Sequence, residues 1–113
     1  MPSVYKICPA ALWRAAERNG VLYGSEHDLR DGFIHFSTAA QLAETAAKHF
    51  AGQTDLLLIS VDTDRLGHAL RWEPWRGALF PHLYGSLPLN VVTNVAPLLR
   101  GADGQHAFPP SVA

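Results

Sequence analysis

Beyond residue 50 the chain offers apolar runs and alternations but no stretch at helical spacing. Parallel strands need crossover connections, usually helices, so the strands of this half must pair mainly antiparallel. Leu56-Leu-Leu-Ile-Ser-Val61, bounded by Asp55 and Asp62, reads as a central strand covered on both faces. Residues 69–73 read as a strand ended by Pro74, and 75–78 as a turn around Gly77. Residues 90–99, with Val91, Val92, Val95 and Leu98, read as a late strand. The Gly101-Ala-Asp-Gly104 cluster turns residues 105–108 back as a hairpin.

The first half is different. Residues 4–8 read as a strand, and Pro9 suits the first position of a helix with Leu12, Trp13 and Ala16 on its apolar stripe. Gly20 supplies the left-handed stop, and 21–23 form a short strand. Residues 24–31 hold four charges and a histidine without periodicity, which predicts a loop. Residues 32–36 read as a strand. Thr38 and Gln41 match a capping box that opens a helix to about Phe50, with Ala39, Leu42, Ala43, Ala46 and Phe50 inward. The fold class that follows is α+β: a mainly antiparallel mixed sheet with two early helices.

At 113 residues there is room for one domain, expected over residues 1–108 with 109–113 as a loose tail. The lone Cys8 excludes an internal disulfide and any multi-cysteine zinc site. Nine scattered Lys and Arg with a net charge of −1 give no basic face for duplex nucleic acid. No apolar run approaches the roughly 20 residues that span a bilayer. Met1-Pro-Ser leads straight into the first strand with nothing like a signal peptide, so a cytoplasmic protein is expected.

Two segments carry the chemistry: Gly32-Phe-Ile-His-Phe-Ser-Thr38, and Arg71-Trp-Glu-Pro74 with Leu79-Phe-Pro-His-Leu-Tyr-Gly85. Side chains alternate across a strand, so Phe33, His35 and Ser37 share one face, and Phe80, His82 and Tyr84 share another. Histidines set among aromatics suit a small-molecule pocket. His35, Ser37 and a helix start together form a seat for a phosphate or ribose hydroxyl, although a core histidine and capping hydroxyls explain the same residues. Glu73 is either a base or sugar-orienting carboxylate, or the partner of Arg71 in an ion pair. Arg71 in turn is a fork for carboxylate or phosphate, or that structural partner. Phe80 and Tyr84 offer faces to a flat ring, with His82 between them. Lys6 is a candidate anion ligand or a solvent-facing strand residue. His27, His49, His68 and His106 need no role. With no HExxH or GxSxG pattern, neither a metal site nor a serine nucleophile is expected.

These segments, with Val4-Tyr-Lys-Ile7, Asp55-Leu-Leu-Leu-Ile59 and Pro97-Leu98, closely resemble the family called domain of unknown function 952 over nearly the whole chain. The resemblance implies a fold grouped with ADP-ribosyltransferase-like proteins, in which a first-strand His or Arg holds the ribose of NAD and a late Glu organises its hydroxyls. Members of the family commonly carry His in the first-strand Tyr-His-Ile motif, where this chain has Lys6. By analogy, His35, Glu73 and His82 become catalytic residues, with Lys6, Ser37, Arg71, Phe80 and Tyr84 binding NAD or a related compound. Two readings stand at this point: an enzyme transferring or cleaving an ADP-ribosyl group, or a non-catalytic module binding a small molecule or a protein through the same pocket.

Overall fold

The computed structural model describes residues 2–109 and 112. Strand β1 (Ser3–Pro9) leads into helix α1 (Ala10–Asn19), which Gly20 ends in the left-handed conformation. Then come β2 (Val21–Leu22), α2 (Glu26–Asp31), β3 (Ile34–His35) and α3 (Leu42–His49). The second half holds β4 (Leu56–Asp62), β5 (Leu70–Trp75), β6 (Ala78–Leu83), β7 (Leu87–Pro88), β8 (Val92–Arg100) and β9 (His106–Ala107). Every strand pair among the described residues is antiparallel. No described helix is long and apolar enough to cross a membrane.

The apolar run sits where two-sided burial requires. β4 lies between β1 and β8 in a sheet ordered β1-β4-β8-β9. Alternation along β1 and β4 divides the core in two. Val4, Cys8, Ile59 and Val61 pack with Trp13, Leu22 and Ile34, whereas Tyr5, Ile7, Leu56 and Leu58 pack with Leu42, Ala46 and Leu98. A second sheet, ordered β3-β6-β5, joins the first at one point. Tyr5 and Ser37 exchange N–H···O bonds of 2.8 Å each, and the Phe36 N–H donates to the Pro81 carbonyl at 3.0 Å. Residues of both sheets, of α2 and of α3 line a common hollow.

Several local expectations change. The segment at 24–31 is not a loop throughout: α2 begins at Ser25, whose Oγ accepts from the Asp28 N–H at 3.1 Å while Asp28 Oδ2 accepts from the Ser25 N–H at 2.8 Å. That reciprocal cap is written as Ser-x-x-Asp, and six residues are too few to show a helical period. The strand at 32–36 shortens to Ile34–His35 plus the bridge at Ser37. β5 continues through Pro74, because it is an edge strand where a missing N–H costs no ladder bond. The helix entered at Thr38 starts as a 3-10 turn, Ala39–Gln41, and Ala43 faces outward. Of the tail, the Val112 N–H donates to the Pro109 carbonyl at 3.0 Å and Val112 packs on the second core cluster. Residues 110, 111 and 113 lie outside the described residues.

Cys8 is fully enclosed, with its thiol against the Pro9 carbonyl at 3.5 Å. Burial pushes the thiol up to about 11, the nearby Lys6 charge opposes this, and Asp28 adds to it. At pH 8 roughly one thiol in a thousand is then ionised. Native protein mixed with a disulfide reagent should show almost no thiol reaction over minutes, and one equivalent once urea unfolds it. Rapid native labelling would mean the β1 core opens far more often than its packing implies.

Candidate functional site

The site is built on a buried ion pair. Lys6 points inward from β1, and its Nζ lies 2.9 Å from Asp28 Oδ2, with the two side chains 6% and 2% exposed. The solvent-facing reading of Lys6 is therefore corrected. The same ammonium donates to the His35 carbonyl at 3.1 Å. Asp28 Oδ1 accepts from the His35 backbone N–H at 3.1 Å and meets His35 Nδ1 at 2.6 Å. Burial alone would raise this carboxyl. The His35 bond, the Lys6 charge and the Ser25 N–H outweigh it and hold Asp28 well below the usual carboxylate range. Gly24 permits the arrangement: at φ 111°, a Cβ there would stand 2.8 Å from the Asp28 Cβ.

A second histidine is held in a parallel manner. His82 pairs with His35 across β3 and β6, and its Nδ1 lies 2.8 Å from Glu73 Oε1. The Tyr84 hydroxyl donates to the same oxygen at 2.7 Å. These bonds lower the Glu73 carboxyl and raise the Tyr84 phenol. Burial lowers the proton affinity of His82, and the Glu73 bond only partly restores it. The imidazole centroids of His35 and His82 are 5.5 Å apart, with Phe33 stacked on His82 at 4.1 Å. Trp75 stands edge-on to both.

Both imidazoles open into a cleft of about 340 Å³, within the range of small-molecule sites. Lys6, Ser37 and Phe80 also line it; Arg71, Glu73 and Tyr84 do not. Glu73 stands behind His82 instead. The Arg71–Glu73 ion pair considered from sequence is absent among the described residues, because Glu73 turns to His82 and Tyr84 while the Arg71 guanidinium lies 4.8 Å over the Tyr84 ring. Ser37 Oγ is bonded to Thr45 Oγ1 at 2.9 Å, across to α3.

The residue that sequence reasoning missed is Arg76. It occupies the β5–β6 hairpin with φ 51°, beside Gly77 at φ 81°, the two positive values that a type I′ turn requires. From there its side chain folds back into the cleft wall, 17% exposed, with the guanidinium 4.7 Å over the Phe80 ring. Nη2 donates to Thr45 Oγ1 at 3.3 Å, and Nη1 is 3.6 Å from Glu44 Oε1. Nε and Nη1 are buried without a hydrogen-bond partner among the described residues. His49 lines the same wall, and burial followed by the charges of Arg76, His27, His35 and Lys48 lowers its proton affinity. The wall therefore carries donors that no described residue uses. Arg76 read as a turn residue, and nothing in the one-dimensional pattern says which way its side chain leaves the turn. Asp28 was visible in principle through the Ser25-x-x-Asp28 cap.

A crystal structure of protein CC0527 from Caulobacter crescentus is 48% identical, covers 93% of each chain and superposes with a TM-score of 0.90. The solution structure of CC0527 is 49% identical, covers 93% of this chain and 91% of that one, and gives a TM-score of 0.83. No curated protein matches the chain. The profile described as "Protein of unknown function (DUF952)" matches residues 7–95, which include His35, Glu73, Arg76 and His82, and the chain belongs to that family.

Proposed function

We propose that the cleft binds a small organic anion of the nucleotide class, ADP-ribosyl compounds among them, and acts on it with two carboxylate-held histidines. The observation that carries this reading is Arg76: a guanidinium in a cleft wall, whose buried Nε and Nη1 have no hydrogen-bond partner among the described residues, is set for an oxyanion. Thr45 and Ser37 add hydroxyls beside it, and Phe80 and Trp75 offer apolar faces to a ring. Asp28 and Glu73 each grip an Nδ1, which orients His35 and His82 for proton transfer at sugar or phosphate oxygens. In this reading Glu73 acts through His82 and does not itself touch a ribose hydroxyl. The grouping with ADP-ribosyltransferase-like proteins that the family resemblance implies suggests the ligand class, with NAD as a candidate substrate and the cytoplasm as the setting.

Lys6 favours the second reading, a non-catalytic binding module. The resemblance puts the first-strand ligand at this position, yet here its ammonium is already committed to Asp28. One experiment separates the readings. Calorimetric titration with ADP-ribose, NAD and AMP should give saturable binding of at least one at millimolar concentration or below. Nicotinamide or phosphate release that disappears in His35→Ala and His82→Ala establishes catalysis; binding without consumption establishes the module. Failure of all three compounds to bind or to shift the melting temperature overturns the ligand class.

A further inference from the structure

We infer that His27, Asp31 and His35 form a binding site for a divalent cation of the zinc type. This site does not rest on the nucleotide reading, although it shares His35 with it: a bound cation takes the Nε2 that the nucleotide reading uses for proton transfer. His27 and Asp31 stand one turn apart on α2, and His35 reaches them from β3. His35 Nε2 lies 3.0 Å and His27 Nε2 3.4 Å from Asp31 Oδ2, and all three ligand atoms fall within 4.8 Å of one another. Bonds of 2.0–2.1 Å in a tetrahedron place ligand atoms about 3.4 Å apart, so two edges of the site are near their final lengths. The third closes by rotation of His27, which is 44% exposed and whose ring centroid is already 4.5 Å from that of His35, the rings tilted at 31°.

The supporting layer is built without the metal. Asp28 Oδ1 holds His35 Nδ1 at 2.6 Å, and Lys6 and the Ser25 N–H hold Asp28. A buried carboxylate behind a histidine fixes the ring and leaves Nε2 as the ligating atom. A cation between that nitrogen and Asp31 would take the place of their 3.0 Å contact. Arg30 now donates to His27 Nδ1 at 2.6 Å. On coordination Nδ1 carries the ring proton, and the exposed Arg30 side chain turns away. Two imidazoles and one carboxylate select zinc-like ions over magnesium. His27 and His35 both line the cleft, so the remaining coordination positions face it.

The test is calorimetric titration of chelator-stripped protein with zinc chloride, with circular dichroism to verify folding. Wild type should bind one equivalent, and His27→Ala and Asp31→Asn should each weaken that binding by about tenfold or more. Both side chains sit at the surface of α2, so neither change threatens the core; His106→Ala, on β9, should bind as wild type does. His27→Gln and Asp31→Ala give a second pair if either first variant misfolds. No stoichiometric binding, or full-strength binding in the His27 and Asp31 variants, would overturn the site.

Discussion

Replacing Lys6 with methionine should destabilise the protein by about 3–5 kcal/mol, read as a lowered urea midpoint with an unchanged slope. The reason is what remains. Asp28 is 2% exposed, and without the ammonium it is a buried carboxylate whose remaining supports are His35 and the Ser25 N–H. Lys6→Met combined with Asp28→Asn should lose less than the two single changes added together, because the amide needs no counter-charge, even though its single carbonyl oxygen can serve only one side, the Ser25 N–H or the His35 donors. The pair also sets an acid limit. In the unfolded chain Asp28 takes up its proton near the ordinary 3.8, and in the folded chain only at lower pH. The unfolded state therefore binds more protons between those two points. The stabilisation is complete above the ordinary value and is lost as pH falls toward the folded one. Unfolding curves between pH 6 and pH 2 should show this fall in wild type and a shallower one in Lys6→Met. Additive single mutants with identical acid slopes would show that the two side chains do not act as a pair.

What was legible in the sequence was what strand alternation and two-sided burial dictate. Leu56 to Val61 had to be central because both of its faces are apolar, and β4 is flanked by β1 and β8. The two-residue spacing of Phe33, His35 and Ser37, and of Phe80, His82 and Tyr84, brought two histidines and their aromatic neighbours to one face across β3 and β6. Spacing could not say which polar group each histidine would choose. Arg71 and Glu73 share a strand face, which makes them an obvious pair, yet Glu73 reaches diagonally to His82, two residues beyond its direct partner Phe80. The inward turn of Lys6 was hidden for a related reason: a lysine on a strand is buried only when a carboxylate waits inside, and that carboxylate lies on α2, a helix too short to leave a period.

The largest functional effect should come from Arg76→Met. Truncating a buried charged partner typically costs 2–5 kcal/mol of binding, so affinity for a nucleotide-class anion should drop at least about thirtyfold. The same change should leave the thermal midpoint equal to or above that of wild type. The Arg76 donors Nε and Nη1 are buried without a hydrogen-bond partner among the described residues, the contact of Nη1 to the exposed Glu44 carboxylate is 3.6 Å, and its one hydroxyl contact, to Thr45, is long at 3.3 Å. Removing unsatisfied donors relieves a desolvation cost, and methionine keeps an apolar chain over the Phe80 ring. Arg76→Lys separates charge from shape: it retains the positive charge but loses the planar fork, so its affinity should fall between the other two. Melting curves with and without ADP-ribose or inorganic phosphate measure both effects in one series. A variant that melts well below wild type while binding the anion unchanged would make the guanidinium a strut for the hairpin. Weakened binding with undiminished stability is what a guanidinium set to bind an anion must give.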